Sequence, residues 1–180
     1  MGIKGKFSKK TKYFGDLEFY VEYDHVGDDW VSIHTSLNDQ CVFIHIPNYN
    51  NLGKNHNLCW EIIDKYLEIN EIAKKIIVNK FAEKNGKANY YFKEFFEERI
   101  KLSDREKIIN VFGINDLEMF DIDEFIKKIN YPDLCFYVEK SIMTISIEYT
   151  ILKNYPQEDV IICVLMNEKL EVTGFEIEYE

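Results

Sequence analysis

The sequence lacks the motifs by which many enzymes and membrane or secreted proteins are recognised. It contains no GxSxG elbow, no Gly-rich phosphate loop, no HExxH and no EF-hand loop. Its longest apolar stretches, such as Val160–Met166, are far shorter than the ~20 residues of a membrane-spanning helix. No apolar run follows the first basic residues, so we expect no secretory signal. We therefore predict a cytoplasmic protein that is not an enzyme and has no catalytic residues, no cofactor and no metal.

Paired cysteines are also lacking. The chain has four cysteines, which lie far apart in sequence and form no CxxC pair: Cys41, Cys59, Cys135 and Cys163. This spacing is typical of reduced, mostly buried thiols rather than of a disulfide framework.

Apolar and aromatic residues are plentiful, and acidic residues outnumber basic ones. The 180 residues are 46% hydrophobic and 15% aromatic, which excludes disorder and is enough for one core. Residues 1–12 hold five lysines and no acid, so the net charge of −10 leaves −15 for residues 13–180. We predict a basic, partly flexible arm over 1–12 and a single domain over 13–180. The charge argues against nucleic acids and anionic membranes as partners and favours a basic protein.

The hydrophobic pattern predicts strands at both ends of the chain and helices between them. Alternation over Leu17–Tyr23 indicates a strand, and Trp30–Ser36 and Cys41–Ile46 indicate a hairpin around Leu37-Asn38-Asp39-Gln40. Helical spacing then predicts a long helix from Trp60 to about Lys84 and further helices over 88–100, over 103–113 and from Asp121.

Four strands with short connections follow from residue 134: Cys135–Val138, Ile142–Leu152, Asp159–Met166 and Leu170–Tyr179. We predict an α+β fold with an N-terminal β-hairpin region, central helices and a C-terminal antiparallel four-stranded meander. The helices should lie on one face of that meander.

Two acidic groups are the candidates for a partner-binding surface. The first comprises Asp116, Glu118, Asp121 and Asp123, and the second comprises Glu176, Glu178 and Glu180, which share one strand face by the two-residue period. The first group also suits the start of a helix, and the second also suits an edge strand protected from aggregation. The more specific interpretation is a docking surface for a basic protein, with Trp30 as an aromatic anchor.

Two alternatives remain open at this point. His34 or His45, acting with a carboxylate, would make the protein an enzyme whose site carries no known motif. Alternatively, pairing of sheet edges would make it a scaffolding homodimer. The sequence leaves the oligomeric state undetermined.

Short segments spread along the chain resemble one protein family. They are Tyr13-Phe14-Gly15-Asp16-Leu17, Asp123-Glu124-Phe125-Ile126, Glu148-Tyr149, Asp159-Val160-Ile161 and Val172-Thr173-Gly174-Phe175-Glu176-Ile177. In these segments the chain resembles a family of bacterial cytosolic proteins interpreted as immunity proteins of polymorphic toxin systems. The resemblance implies a protein without catalytic residues that binds and neutralises a cognate toxin domain inside the producing cell.

Overall fold

The computed structural model describes residues 2–83, 86, 90, 121–139, 142–151 and 160–179. The predicted helix over 103–113 lies outside these residues, and so does the predicted helix over 88–100 except for Tyr90. So do three of the predicted partner-binding acids, Asp116, Glu118 and Glu180.

Eight strands form one sheet in the order of the chain. They are β1 (Gly2–Thr11), β2 (Gly15–Tyr23), β3 (Asp29–Leu37), β4 (Gln40–Pro47), β5 (Asp133–Glu139), β6 (Ile142–Ile151), β7 (Val160–Asn167) and β8 (Val172–Tyr179). Neighbours are antiparallel except β4 and β5, which pair in parallel through Ile44 with Leu134 and His45 with Cys135. The α+β class, the N-terminal hairpin and the C-terminal meander are confirmed. The sequence did not predict that both strand groups join into a single sheet.

The residues predicted to form a basic arm instead form strand β1. This strand pairs with β2 from Gly2 to Thr11, with a register shift between Lys4 and Lys6. Phe7 stacks on Phe19 of β2 with ring centroids 5.8 Å apart. On the same side, Lys9 Nζ lies 5.9 Å from the centre of the Trp60 ring. Lysines fit here because the long side chains of an edge strand cover apolar surface while their charged ends reach water.

The hairpin between β3 and β4 closes through the segment predicted from sequence. Asn38 and Asp39 form a two-residue turn, and their φ angles are 50° and 63°. Positive φ at both positions is what a type I′ hairpin turn requires, and Asn and Asp adopt it more readily than most residues.

The described helices are α1 (Asn55–Ile63), α2 (Tyr66–Ala82) and α3 (Ile122–Lys128), and a short 3-10 turn spans Tyr49–Asn51. The prediction of one helix from Trp60 to Lys84 is wrong, because the chain leaves the helix between α1 and α2. Lys65 has φ −106° and ψ 13°, and its amide donates to Ile62 O at 2.9 Å, three residues back. The break orients the Asp64 carboxylate toward β1, where it accepts the Lys12 amide at 2.8 Å. Apolar spacing continues across the break, so the pattern conceals it.

Strand side chains alternate between a core face and a second face. The core face includes Phe19, Val31, Ile44, Phe136, Ile145 and Val164, all at most 3% exposed. Trp60 of α1 packs against it, with its ring 5.2 Å from Phe19, and Tyr149 of β6 bonds to Asn70 of α2. We call the opposite side the open face, because many of its side chains are partly or fully exposed, whereas Cys135, Ser146 and Cys163 on it are at most 7% exposed. It carries Tyr20, Glu22, Trp30, His34, Phe43, His45, Asp133, Cys135, Tyr137, Glu139, Ser146, Glu148, Cys163, Glu176 and Glu178.

Removing one buried hydroxyl should weaken the contact between the helices and the sheet. The Tyr149 hydroxyl donates to Asn70 Oδ1 at 2.8 Å, and both residues are at most 2% exposed. Tyr149→Phe leaves that amide oxygen without its partner, so the free energy of unfolding should fall by about 1–3 kcal/mol. Urea denaturation measures the change. Tyr20→Phe, at a residue 44% exposed, is the control and should change stability by less than about 0.5 kcal/mol. Equal stability of the two variants would contradict this account.

Candidate functional site

The most unusual feature of the sheet is the distribution of charge along it. The six strands from β3 to β8 contain no lysine or arginine. Their open face carries five carboxylates, which belong to Asp133, Glu139, Glu148, Glu176 and Glu178. Five lysines or arginines would be needed to neutralise these carboxylates, and strands β3 to β8 supply none.

Three of these carboxylates lie in one row across the sheet. Asp133 is opposite Glu148, Glu148 is opposite Cys163, and Cys163 is opposite Glu176. Adjacent strands are about 4.8 Å apart, so this acidic row spans roughly 14 Å. Two of its members are oriented by hydrogen bonds: Asp133 Oδ1 accepts the Phe43 amide at 2.7 Å, and Glu148 Oε1 accepts the Tyr137 hydroxyl at 3.3 Å.

A cleft opens at one end of the acidic row, with a volume of about 240 Å³. Among the described residues its lining contains three acids and no base: Asp39, Gln40, Cys41, Asn130, Tyr131, Asp133, Glu148 and Thr150. Two hydrogen bonds join its walls, because Asn38 Nδ2 donates to the Tyr131 hydroxyl at 2.9 Å and the Tyr131 amide donates to Gln40 Oε1 at 3.0 Å. A cleft of this volume holds several waters and is large enough for one long side chain.

Aromatic side chains occupy the open face beside the acids. Tyr20 is 44% exposed and Tyr137 is 51% exposed, whereas Trp30 and Phe43 are half-buried. Such rings offer large, rigid contact area at low conformational entropy, which is why they dominate binding energy in protein interfaces.

The structure separates the acids and the anchor predicted from sequence. Glu176 and Glu178 are exposed on the open face of β8. Trp30 is on the same face but on β3, five strand spacings or about 24 Å away. Asp121 instead caps α3, since its Oδ1 accepts the Asp123 amide at 2.9 Å. Phe125 of this helix is buried in the core between the helices and the sheet. Asp121 and Asp123 therefore lie on the helical side of the sheet.

Sequence reasoning missed Asp133 and Glu148, which join Glu176 in the acidic row. The available signal was the absence of Lys and Arg from every strand segment after residue 29. The pairing register that places these acids in one row was not available from sequence.

The two histidines of the enzyme hypothesis share the open face without touching each other. Phe43 lies between them, with its ring 4.8 Å from His34 and 6.1 Å from His45. His45 Nδ1 is 3.5 Å from Ser32 Oγ. Burial lowers the pKa of His45, and the charges of Glu148 and Glu22 oppose that lowering only in part. Within the described ranges, no group of three or more His, Cys, Asp or Glu residues is arranged to hold a metal ion.

All four cysteines are free thiols, and three of them are buried. Burial raises the pKa of Cys59 and of Cys163 to about 12. The pKa of Cys135 is raised by burial and by the neighbouring Glu148. Cys41, by contrast, is exposed at the cleft.

No helix in the described part of the chain is long and apolar enough to cross a membrane.

The chain was compared with known proteins in three ways. It matches no protein-family model, and no curated protein and no solved structure is significantly similar to it. The resemblance to immunity proteins therefore stays a prediction.

Only Cys41 should react quickly with a thiol reagent in the folded protein. With a pKa near 12, Cys59 and Cys163 hold almost no thiolate at pH 8, so their reaction should be at least about 100-fold slower. Titration with a chromogenic disulfide should show one fast thiol, and four after denaturation. Cys41→Ser should remove the fast phase, and a fast phase that survives in this variant would contradict the assignment.

The lowered pKa of His45 should make stability fall with acidification. Because the folded pKa lies below the ordinary value, the unfolded chain takes up the proton first as pH drops below about 6.5. The free energy of unfolding should therefore decrease from pH 7 to pH 5.5. His45→Gln should flatten that slope, while His25→Gln, at an exposed loop position, should leave it unchanged. Equal slopes in the two variants would show that His45 does not cause the effect.

Proposed function

We propose that this chain is a non-enzymatic binding protein that holds a basic protein partner on its open face. The observation that carries the proposal is the run of six strands without a lysine or arginine, whose open face presents five carboxylates. Fields of one sign attract an oppositely charged partner before contact and orient its approach. A basic protein is the partner class that this face suits best.

The cleft gives the interaction a specific anchor. A lysine or arginine side chain of the partner enters between Asp39, Asp133 and Glu148 and exchanges its water shell for carboxylate oxygens. Tyr137 stands beside Glu148 and is half exposed, so its ring offers the incoming cation a further favourable contact. Burial of a charge is tolerated here because its partners are already oriented by bonds to the Phe43 amide and the Tyr137 hydroxyl.

The dimensions of this face suit a protein–protein contact. Strands β3 to β8 span about 24 Å across the sheet, and strands of seven to ten residues are about 23–33 Å long. The resulting area of roughly 550–800 Å² approaches, at its upper end, the ~800 Å² that each partner contributes to a standard interface. Trp30 and Glu176 lie near opposite sides of this area, so one partner is large enough to contact both.

The resemblance narrows the partner to a toxin domain. We propose that the chain is an immunity protein, which stays in the cytoplasm of the producing cell and neutralises a cognate toxin by covering its basic surface. A basic surface is what a toxin needs if its own target is an anion such as nucleic acid. An acidic face that occupies that surface blocks the toxin without any chemical step.

Charge reversal on β8 should slow capture of the partner. If the proposed role is right, a gene for a secreted toxin lies beside this one, and the C-terminal domain of that toxin is the test partner. In Glu176→Lys/Glu178→Lys the net charge changes from −10 to −6, because each substitution adds two positive charges. The association rate, measured by stopped flow at low salt, should fall about tenfold or more, and high salt should reduce the difference.

The matched control has the same net charge. Glu61→Lys/Glu71→Lys also gives −6, but these exposed residues lie on α1 and α2, on the other side of the sheet. This variant should bind at nearly the wild-type rate. Equal slowing in both variants would mean that only net charge matters and that the open face is not the docking surface. Failure of the wild-type chain to bind or inhibit the neighbouring toxin would overturn the immunity role.

A further inference from the structure

Neither edge strand of the sheet has a second strand partner among the described residues, and the two edge strands carry opposite charge. β1 pairs only with β2 and β8 pairs only with β7 among the strands that the structure describes. On the open-face side β1 presents Lys6 and Lys10, which pair across with Tyr20 and Asp16, and β8 presents Glu176 and Glu178. A strand edge is a row of backbone donors and acceptors that another strand can extend.

The two edge strands run in the same direction. Six of the seven strand pairs between β1 and β8 are antiparallel and one is parallel, so the chain reverses an even number of times. If a second copy lies beside the first with its open face on the same side, β8 of one copy meets β1 of the next in parallel. Side chains that share a face then meet across the junction, and the glutamates of one copy come beside the lysines of the other.

The regular parts of both edges also match in length. The register of β1 is regular from Lys6 to Thr11, after the shift between Lys4 and Lys6. The register of β8 is regular from Gly174 to Tyr179, after the shift opposite Leu165 and Met166. Both segments have six residues, and in each strand the irregularity precedes the regular part. A parallel pair therefore aligns regular backbone with regular backbone and places both irregularities at one end.

We propose that the chain associates head to tail, with β8 of one copy adding in parallel to β1 of a second copy. The same charges oppose a two-fold homodimer of the kind considered from sequence, because β8 against β8 brings glutamates together and β1 against β1 brings lysines together. A heterologous contact leaves one unused edge of each kind, so addition of copies continues unless the rotation between them closes a ring. Lys6 is 2.6 Å from Glu18 in the same copy, whereas Lys10 is exposed on the rim.

This association goes beyond the binding of a partner and is tested without one. Sedimentation velocity of the purified chain should show an average mass that rises with concentration at low salt and falls toward the monomer at high salt. Glu176→Lys/Glu178→Lys and Lys6→Glu/Lys10→Glu should each weaken the association about tenfold or more. The control Glu61→Lys/Glu71→Lys should associate like the wild type.

Mixing the two charge-reversed variants is the decisive step. Glu176→Lys/Glu178→Lys has two basic edges, and Lys6→Glu/Lys10→Glu has two acidic edges. Each should therefore be monomeric alone, and the equimolar mixture should associate again. Only a contact between unlike edges predicts this recovery. A monomeric mass of the wild type at every concentration, or no recovery on mixing two folded variants, would overturn the proposal.

A second experiment covers the case in which Lys6→Glu/Lys10→Glu fails to fold beside Glu18. Glu176→Lys/Glu178→Lys keeps the basic β1 edge but lacks an acidic one. Added to the wild type, it should occupy acidic β8 edges and stop further addition, so the average mass should fall. An average mass above that of a mixture with the Glu61→Lys/Glu71→Lys control would contradict head-to-tail pairing.

Discussion

The structure depends on the short parallel contact between β4 and β5, which joins two antiparallel meanders into one sheet. Only two residue pairs define it, Ile44 with Leu134 and His45 with Cys135. Three further bonds hold the same junction, from the Phe43 amide to Asp133, from Asn38 to Tyr131 and from the Tyr131 amide to Gln40. Parallel neighbours require a long crossover, and the helical segment supplies it while covering the core face. One junction therefore decides which face is covered and which stays open.

The same junction builds the candidate binding site. Because β5 pairs with β4, Asp133 lies beside the β3–β4 turn. Glu148, which is opposite Asp133 on β6, lines the same cleft. Asp133 has a structural role and a surface role at once, since its Oδ1 caps the Phe43 amide while its carboxylate adds negative charge to the lining. The acidic lining of the cleft thus arises where the two halves of the sheet meet.

Local signals in the sequence predicted local structure well. Asn38-Asp39 marked the β3–β4 turn, Asp121 marked the start of α3, and alternation located the C-terminal strands, because each of these is decided within a few residues. Three features were not accessible in this way. The break at Asp64 and Lys65 leaves the helical spacing of apolar residues intact. The many lysines of β1 make its sequence unlike that of a typical strand. The β4–β5 pair joins residues about ninety positions apart. The glutamates of β8 were found for their spacing, but Asp133 and Glu148 become neighbours only through register.

The charge of the open face prevents unwanted association, which is not a risk for the face covered by helices. An open face with partly exposed rings such as Tyr20, Tyr137 and Trp30 would adhere to a second open face if it were neutral. Five carboxylates on strands without a lysine or arginine oppose that, because two such faces repel each other. The same charge that keeps copies from stacking attracts a cationic surface. Among the described strands, lysines enter the open face at β1, where Lys6 and Lys10 lie beside Glu18 and Asp16 of β2. The open face therefore rejects its own kind face to face while remaining receptive to a basic partner.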